Sequence, residues 1–267
     1  MRAALTRVPV RRSARAMASA GRGARGAAAA VAAAAGPAIT FGSTVEGVPE
    51  AWRVVGRAPA LEAVIAEGAG LLPPAVAAAA RAAAAKAKPG KSRTLLVGDV
   101  EVTLAVLPAA ADVSRHNSPA SPHAVTAAVE GAKPGDAVVL AVDDPAHAFA
   151  AGCAAARAFP LYSAKTGTGG NGGAAGAEAP VQLVLASAAG GGPPATLAPG
   201  LVEAVEAAAG GIRLAQRLVD APPAEMGCDD LVGEALGVAG ALPGVSSCVM
   251  RYDELVAGGD GGPPRGW

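Results

Sequence analysis

Aromatic residues, cysteines and histidines are all scarce in this chain. Aromatic residues make up 3% of its 267 residues, so the apolar volume of a core must come mainly from Val, Leu and Ala. The three cysteines, Cys153, Cys228 and Cys248, share no C-x-x-C spacing, and their odd number argues against a disulfide scaffold. We expect them to be inert buried thiols. Three scattered histidines assemble no specific Ser-His-Asp or Cys-His set.

Acidic residues are missing from the first 45 positions, which contain seven arginines. Residues 1–37 are rich in Arg, Ala and Ser, a composition typical of a transit peptide. We therefore expect a transit-peptide-like or disordered leader and delivery to a mitochondrion or plastid, with a cytoplasmic location as the alternative. The rest of the chain has 15 basic and 22 acidic residues, a net charge of −7. An acidic body without a basic stripe argues against nucleic-acid binding.

Long apolar runs are also missing. The stretch Ala27–Ala35 is too short and too weakly apolar to span a bilayer, and no other segment reaches about 20 apolar residues. We expect no membrane span.

The first part of the chain favours strands and a divided helix. Short strands are predicted at 38–45 and 51–58. The helical stretch 61–88 should split at Gly70 and Pro73–Pro74, because proline cannot continue a helix. Residues 93–108 predict a β-hairpin turning at Gly98–Asp99.

From residue 119 onward, apolar strands alternate with Ala-rich helices. A helical segment at 119–132, a strand at 136–142, a helical segment at 145–159 and a strand at 180–187 are predicted in that order. This alternation predicts an α/β fold, a mixed sheet with helices on both faces, followed by a long linker helix. That helix could be irregular at Gly210–Gly211, and its buried face is predicted to contain Ile212, Ala215, Leu218 and Val219. A helix at 226–241 and a strand at 246–252 should follow.

Two glycine-containing segments are candidate phosphate sites. The Gly-rich loop at 166–173 lacks a following Lys-Ser/Thr pair and opens no helix. Gly90-Lys91-Ser92 has alanine where a Walker A loop requires its first glycine, and a strand follows it. Neither segment predicts a nucleotide site.

His116 and His123 lie seven residues apart near Asp112, and with the distant His147 they are candidate zinc ligands. Pro119 and Pro122 interrupt the helix that would align the two histidines, and no convergent third and fourth ligand is evident. A structural interpretation is more economical. Ser118 or Ser121 would cap a helix beginning near Pro119 or Pro122, with Asn117 and Ser114 satisfying backbone groups. His147 should cap a second helix or face solvent.

Adjacent acidic pairs occur at Asp143–Asp144, Asp229–Asp230 and Asp253–Glu254. Neighbouring residues diverge on a regular element, so solvated ends or first-turn helix charges are favoured over acid–base dyads. The sequence predicts no catalytic, cofactor-binding or metal-binding residue in this chain.

Several segments nevertheless resemble a known family in order and spacing. "SRHNSP" (114–119), "ARAFPL" (156–161) and the stretch from Arg213 to Met226 are similar to the N-terminal half of the leucyl aminopeptidase family. The greatest similarity is to its branch of probable aminopeptidase-like proteins. The likeness covers roughly residues 38–259.

The resemblance implies a leucyl aminopeptidase N-terminal-domain-like fold without catalytic residues, and a division of the chain. Residues 38–195 would be the N-terminal α/β domain, 196–225 the linker helix, and 226–267 the truncated start of the catalytic domain. In the family, that catalytic domain holds two divalent metals, zinc or manganese, on Lys, Asp and Glu ligands, and the enzymes usually form hexamers. None of those ligands has a counterpart here, so peptides would be bound only through the missing domain.

Three hypotheses stay open. The chain could be the non-catalytic N-terminal portion of a metal-dependent aminopeptidase that releases N-terminal amino acids from peptides, inactive by itself. It could be a catalytically silent interaction module that joins full-length relatives through the exposed face of the 197–220 helix. It could also be a small-ligand domain, although fold likeness alone is a weak argument for that.

Overall fold

The computed structural model describes residues 36–66, 70–114, 118–162, 179–188, 197–198 and 200–252. Residue contacts divide the chain into two compact units, Met1–Arg217 and Leu218–Trp267. Within the described ranges, no helix has both the length and the apolar character needed to cross a bilayer.

A six-stranded sheet organises the first unit, with strand order β1-β6-β5-β2-β4-β3. Its strands are β1 (Ile39–Gly42), β2 (Ala51–Gly56), β3 (Lys91–Val97), β4 (Val100–Val106), β5 (Ala137–Val142) and β6 (Val181–Ser187). All neighbouring strands are parallel except β3, which runs antiparallel to β4 at one edge. The predicted mixed sheet is confirmed.

Five α-helices begin among the described residues of this unit. They are α1 (Ala58–Ile65), α2 (Pro74–Ala84), α3 (Pro122–Val129), α4 (Ala148–Ala156) and α5 (Leu201–Asp220), with short 3₁₀ helices at Ala110–Asp112 and Pro145–His147. The predicted split of the first helical stretch is confirmed, and Pro74 occupies the first turn of α2, where its missing N–H costs nothing. The predicted hairpin is also confirmed. Gly98 has a φ of +60° between β3 and β4, a conformation that glycine adopts without strain.

The helices cover both faces of the sheet, as the sequence predicted. Helices α1 and α2 pack with Val54, Leu104 and Val139 on one face. Helices α3 and α4 pack with Leu140, Leu183 and Leu185 on the other. Because both faces are covered, every residue of β5 is buried, which explains its uninterrupted apolar sequence.

Helix α5 corrects two predictions. It continues through Gly210 and Gly211 without interruption. Its buried residues are Val205, Ala209 and Arg213, each one turn apart, while Val219 is 82% exposed. The predicted face was wrong because the helix buries an arginine. The Arg213 guanidinium donates from Nε to the Phe159 carbonyl (2.7 Å) and from Nη2 to the Pro37 carbonyl (2.6 Å).

Burial lowers the pKa of Arg213. The two carbonyl oxygens accept hydrogen bonds from the guanidinium, so Arg213 can be buried and can hold α5 against the sheet domain. A prediction that looks only for apolar residues on the buried face misses it.

The second unit contains α6 (Cys228–Ala241), which begins as predicted with acidic residues in its first turn. The Asp230 carboxylate accepts from the Gly227 backbone N–H at 3.0 Å. The predicted strand at 246–252 is wrong. That segment is exposed and pairs with no strand of the described residues, so nothing stabilises an extended conformation there.

The cysteine prediction is wrong for two of the three thiols. Cys228 and Cys248 are exposed in the second unit, whereas Cys153 is half-buried in α4. Burial raises the pKa of the Cys153 thiol, as expected for an unreactive thiol. The other two are exposed because α6 and the segment after it bury no residue.

The close approach of β2 to β5 generates a test of the sheet. A Cβ added to Gly56 would lie 2.6 Å from the Ala141 backbone oxygen. Gly56→Ala should therefore force the strands apart and lower the free energy of unfolding by about 2–4 kcal/mol, measured by urea denaturation.

Gly210→Ala is the matched control, because no described atom outside the adjacent backbone of α5 lies within 4 Å of the added Cβ. It should raise the free energy of unfolding by about 0.5–1 kcal/mol through helix propensity. Equal effects of the two substitutions would contradict the strand register described here.

Candidate functional site

The first candidate position is the crevice at the carboxyl ends of β2 and β5. The helix after β2 packs on one face of the sheet and the helix after β5 packs on the other. This reversal is a topological switch point, where open α/β sheets generally bind ligands. Arg57 directly follows β2, and Asp143 directly follows β5.

Arg57 fills this crevice. Its side chain is 7% exposed, and its Nη1 donates to both carboxylate oxygens of Asp143, at 3.1 and 2.8 Å. Its Nε donates to the Pro108 carbonyl at 3.1 Å. Its Nη2 donates to the Ser121 hydroxyl at 3.1 Å and to the Pro119 carbonyl. One guanidinium therefore joins the chain after β4, the entry to α3 and the chain after β5.

The electrostatics of Asp143 follow from this pairing. Burial by itself would raise the pKa of the carboxyl, but the hydrogen bond and charge of Arg57 outweigh it and lower the pKa below its ordinary value. Asp143 is thus a charged partner of Arg57 and not a solvated end, which corrects the interpretation of the Asp143–Asp144 pair. Asp144 instead caps the following 3₁₀ helix by accepting from the Ala146 N–H at 2.9 Å.

Ser121 occupies the predicted position before α3, but it does not cap the helix with its side chain. Its backbone is left-handed, with φ of 48° and ψ of 51°, whereas a capping residue has extended dihedral angles. The hydroxyl accepts from Arg57 instead. Ser118 accepts from the Ala120 N–H at 3.3 Å.

His147 neither caps α4 nor faces solvent freely, so that prediction is wrong. Its Nδ1 lies 3.6 Å from an oxygen of Asp143, an ion-pair distance that is too long for a hydrogen bond. The Nδ1 atom is buried and has no hydrogen-bond partner. The ring lies beside the crevice because His147 ends the 3₁₀ helix that follows β5, four positions after Asp143.

The remaining space in the crevice is small. Its cavity of about 20 Å³ is bordered by Arg57, Asp143 and His147 on the polar side, and by residues such as Val55 and Leu140 on the apolar side. That volume accommodates about one water molecule, far below the several hundred Å³ that small-molecule ligands occupy. The polar groups therefore cross-link loops and leave no room for a substrate.

The same groups do not form a nucleophilic or metal centre. The Ser121 hydroxyl accepts from Arg57, so it is not held by a base. The Arg57 cation already occupies the Asp143 carboxylate, which disfavours a metal ion there. Within the described ranges, no three His, Cys, Asp or Glu side chains are grouped as metal ligands. Residues of this part of the chain do not fit a two-metal centre.

The motifs weighed from the sequence lie apart from this crevice or outside the described residues. His116, Asn117 and the loop at 166–173 lie outside them. His123 is exposed on α3, and Asp112 is exposed on a 3₁₀ helix. Lys91 begins β3, whereas the lysine of a Walker A loop is followed by a helix.

Sequence reasoning missed Arg57 and Asp143. A signal was present, because each is the first charged residue after a buried apolar strand, and the carboxyl ends of parallel strands meet at one edge of a sheet. The two residues are 86 positions apart, so only the strand order brings them together.

Comparison with known proteins identifies the domain type. Residues 54–168 match the family model for M17 aminopeptidase N-terminal domain 2. The probable aminopeptidase NPEPL1 of Mus musculus is 34% identical over 162 residues, which cover 60% of this chain and 29% of that protein. The Homo sapiens NPEPL1 protein is 33% identical over 163 residues, with the same coverage. The chain thus matches less than a third of the length of these curated relatives.

Solved structures agree. The leucyl aminopeptidase of Leishmania major is similar with a TM-score of 0.61 and 26% identity, covering 87% of this chain and 44% of that one. An M17 aminopeptidase of Trypanosoma brucei has a TM-score of 0.58 and 26% identity, covering 82% and 44%.

The crevice generates a pH-dependent prediction. A carboxyl whose pKa is lowered by folding contributes stability above its unfolded pKa of about 3.9, and that contribution is lost as the pH falls through the folded pKa. Asp143→Asn should therefore reduce the free energy of unfolding at pH 7 by about 1–2 kcal/mol. This loss is smaller than that expected for a fully buried ion pair, because Asp143 is 30% exposed and solvent screens its charge.

The difference between Asp143→Asn and the unsubstituted protein should shrink in urea titrations as the pH is lowered toward 3. Asp112→Asn, at an exposed position, is the control and should change the free energy of unfolding by less than about 0.5 kcal/mol at either pH. A pH-independent loss in Asp143→Asn would contradict the ion-pair interpretation.

Proposed function

From the premise that residues 54–168 form an N-terminal domain of the M17 aminopeptidase family, we propose that this chain is the non-catalytic N-terminal portion of a metal-dependent aminopeptidase. The full enzyme would release N-terminal amino acids from peptides. Its two divalent metals, zinc or manganese, would be bound by the part of the enzyme that these 267 residues lack.

The observation that carries the proposal is the extent of the match. The chain aligns with 29% of the NPEPL1 relatives and 44% of the solved aminopeptidases. The switch-point crevice supports the same conclusion, because Arg57 and Asp143 fill it and leave about 20 Å³. The domain would serve the enzyme as a scaffold, with α5 leading from the sheet domain into the second unit.

The second unit supports the idea of a missing remainder. Helix α6 buries no residue, and Leu231, Leu236 and Val238 are 41–49% exposed on it. Half-exposed apolar side chains such as these are available for contact with other protein. In the proposed enzyme, that contact would come from the rest of the catalytic domain.

The same observation favours the alternative function. A catalytically silent module would use these apolar side chains to assemble with full-length relatives, either within a hexamer or in smaller complexes. Light scattering of this chain mixed with a full-length relative distinguishes the two functions, since the alternative requires a stable mixed complex.

The activity test uses the purified chain with added Zn²⁺ or Mn²⁺ and a leucine anilide substrate. We expect no hydrolysis above the metal-only blank, because a hydrolytic water requires a metal site to activate it. The leucyl aminopeptidase of Leishmania major, assayed alongside, shows whether the substrate is suitable. Turnover by the 267-residue chain that a chelator abolishes would overturn the proposal.

A chimera tests the positive part of the proposal. Residues 38–217 would replace the aligned N-terminal domain of the Leishmania major enzyme. The chimera should retain peptidase activity within about one order of magnitude, since the domain contributes no reacting group. A folded but inactive chimera would show that the native domain does more than support the fold.

We also propose that residues 1–37 deliver the chain to a mitochondrion or plastid. The basis is seven arginines with no acidic residue before Glu46. Fusion of residues 1–37 to a fluorescent protein should give uptake by isolated mitochondria or chloroplasts, and replacing the seven arginines by glutamine should abolish that uptake. Uptake by neither organelle would favour the cytoplasmic alternative.

A further inference from the structure

A second surface of the sheet domain has features unlike those of the crevice. It lies on the outer edge of β3, where an open notch of about 450 Å³ is bordered by Lys86, Lys88, Lys91, Ser92, Arg93 and Thr94. We call this surface the basic edge. Its presence corrects the expectation of an acidic body without a basic stripe.

The charge of the basic edge is strongly one-sided. The sequence contains five basic and no acidic residues between positions 68 and 98, although the chain after the leader is acidic overall. None of the described carboxylates forms a salt bridge with Lys86, Lys88, Lys91 or Arg93. Among the described residues, Arg93 donates to the Lys86 carbonyl alone, at 3.1 Å, and that contact neutralises no charge.

The backbone of β3 is also unpaired on its outer side. It is the terminal strand of the sheet, and no other strand of the described residues pairs with it except β4. Alternate N–H and C=O groups of such a strand point outward and can bind a further strand. Residues 91–94 are all exposed, and Leu96 is 74% exposed. A further strand could therefore approach β3 without displacing other described parts of the domain.

We propose that the basic edge binds an extended acidic segment of a partner protein. The segment would add to the sheet as a strand beside β3, with its carboxylates next to Lys88, Lys91 and Arg93. Backbone hydrogen bonds would supply the pairing, and the cations would select the sequence.

Other occupants fit less well. Two copies of this edge would bring eight cations together, so edge-to-edge self-association is opposed by like-charge repulsion. A nucleic acid would need stacking side chains or a wide basic footprint, but no aromatic residue borders the notch and the body is acidic. Lysines on an edge strand also discourage aggregation. If that were their role alone, an acidic peptide would not bind.

The test uses the full chain and a fluorescent peptide with the length of β3 that alternates Glu with Thr or Val. We expect saturable binding, measured by anisotropy, that weakens at least about tenfold at about 1 M salt, where the screening length falls to about 3 Å. A peptide of the same length with Lys in place of Glu should not bind. N-methylation of alternate peptide amides should weaken binding at least about tenfold, because it removes the donors that pair with β3.

Substitutions locate the site. Lys88→Glu/Lys91→Glu should weaken binding at least about tenfold, because it reverses two charges on the edge. Lys133→Glu/Arg157→Glu is the matched control, with the same change in net charge at exposed positions away from β3, and it should have less than about a twofold effect. Circular dichroism of both variants checks that the fold is retained.

Three results would overturn the proposal. One is no binding of the acidic peptide at low salt. The second is equal weakening by the two double substitutions, or undiminished binding of the N-methylated peptide, either of which would mean non-specific attraction. The third is tighter binding of single-stranded oligonucleotide than of the peptide, which would assign the surface to nucleic acid. The outcome is independent of whether the chain belongs to an active aminopeptidase.

Discussion

The buried guanidinium of Arg57 is the interaction on which the arrangement of the sheet domain depends. It lies where β2 ends, and its donors reach the chain after β4, the entry to α3 and the carboxylate after β5. In the described part of the chain, no backbone hydrogen bond joins these three segments to one another. A single charged group therefore fixes their positions, and Asp143 compensates the cost of burying it.

This interaction also explains why the domain has no ligand crevice where its topology would provide one. Reversal of the strand order between β2 and β5 creates the opening, and the Arg57–Asp143 pair closes it. A domain of this kind in an enzyme is suited to support, because its best position for chemistry is occupied by its own side chains. The filled crevice therefore supports the proposed role of this domain as a scaffold.

Two surfaces have no partner among the described residues, and they differ in chemistry: one is apolar and the other is cationic. Helix α6 presents half-exposed apolar side chains, which are available for contact with other protein. The edge of β3 presents cations and unpaired backbone, which require an anionic partner or water. The first is understandable as part of a larger catalytic domain. The second belongs to the sheet domain itself and is independent of whatever covers α6.

The sequence by itself determined the elements and the class of fold. Prolines and glycines delimited α1, α2 and the β3–β4 hairpin, because their backbone restrictions are local. The continuous apolar run of β5 and the alternation of strands with helices indicated a covered sheet, because burial on both faces removes the need for polar residues. The segments around Ser114, Arg157 and Arg213 indicated the family without any knowledge of their contacts.

Only the tertiary structure decided what the polar residues do. Arg57 and Asp143 meet because β2 and β5 are neighbours in a strand order that no local pattern records. Arg213 is buried because two carbonyls from other parts of the chain accept its hydrogen bonds, so the apolar period of α5 indicated the wrong face. Ser121 and His147 looked like helix caps and instead contact the charged pair, since their roles depend on residues far away in sequence. Local geometry is encoded within a few residues, whereas pairing of charges requires the whole fold.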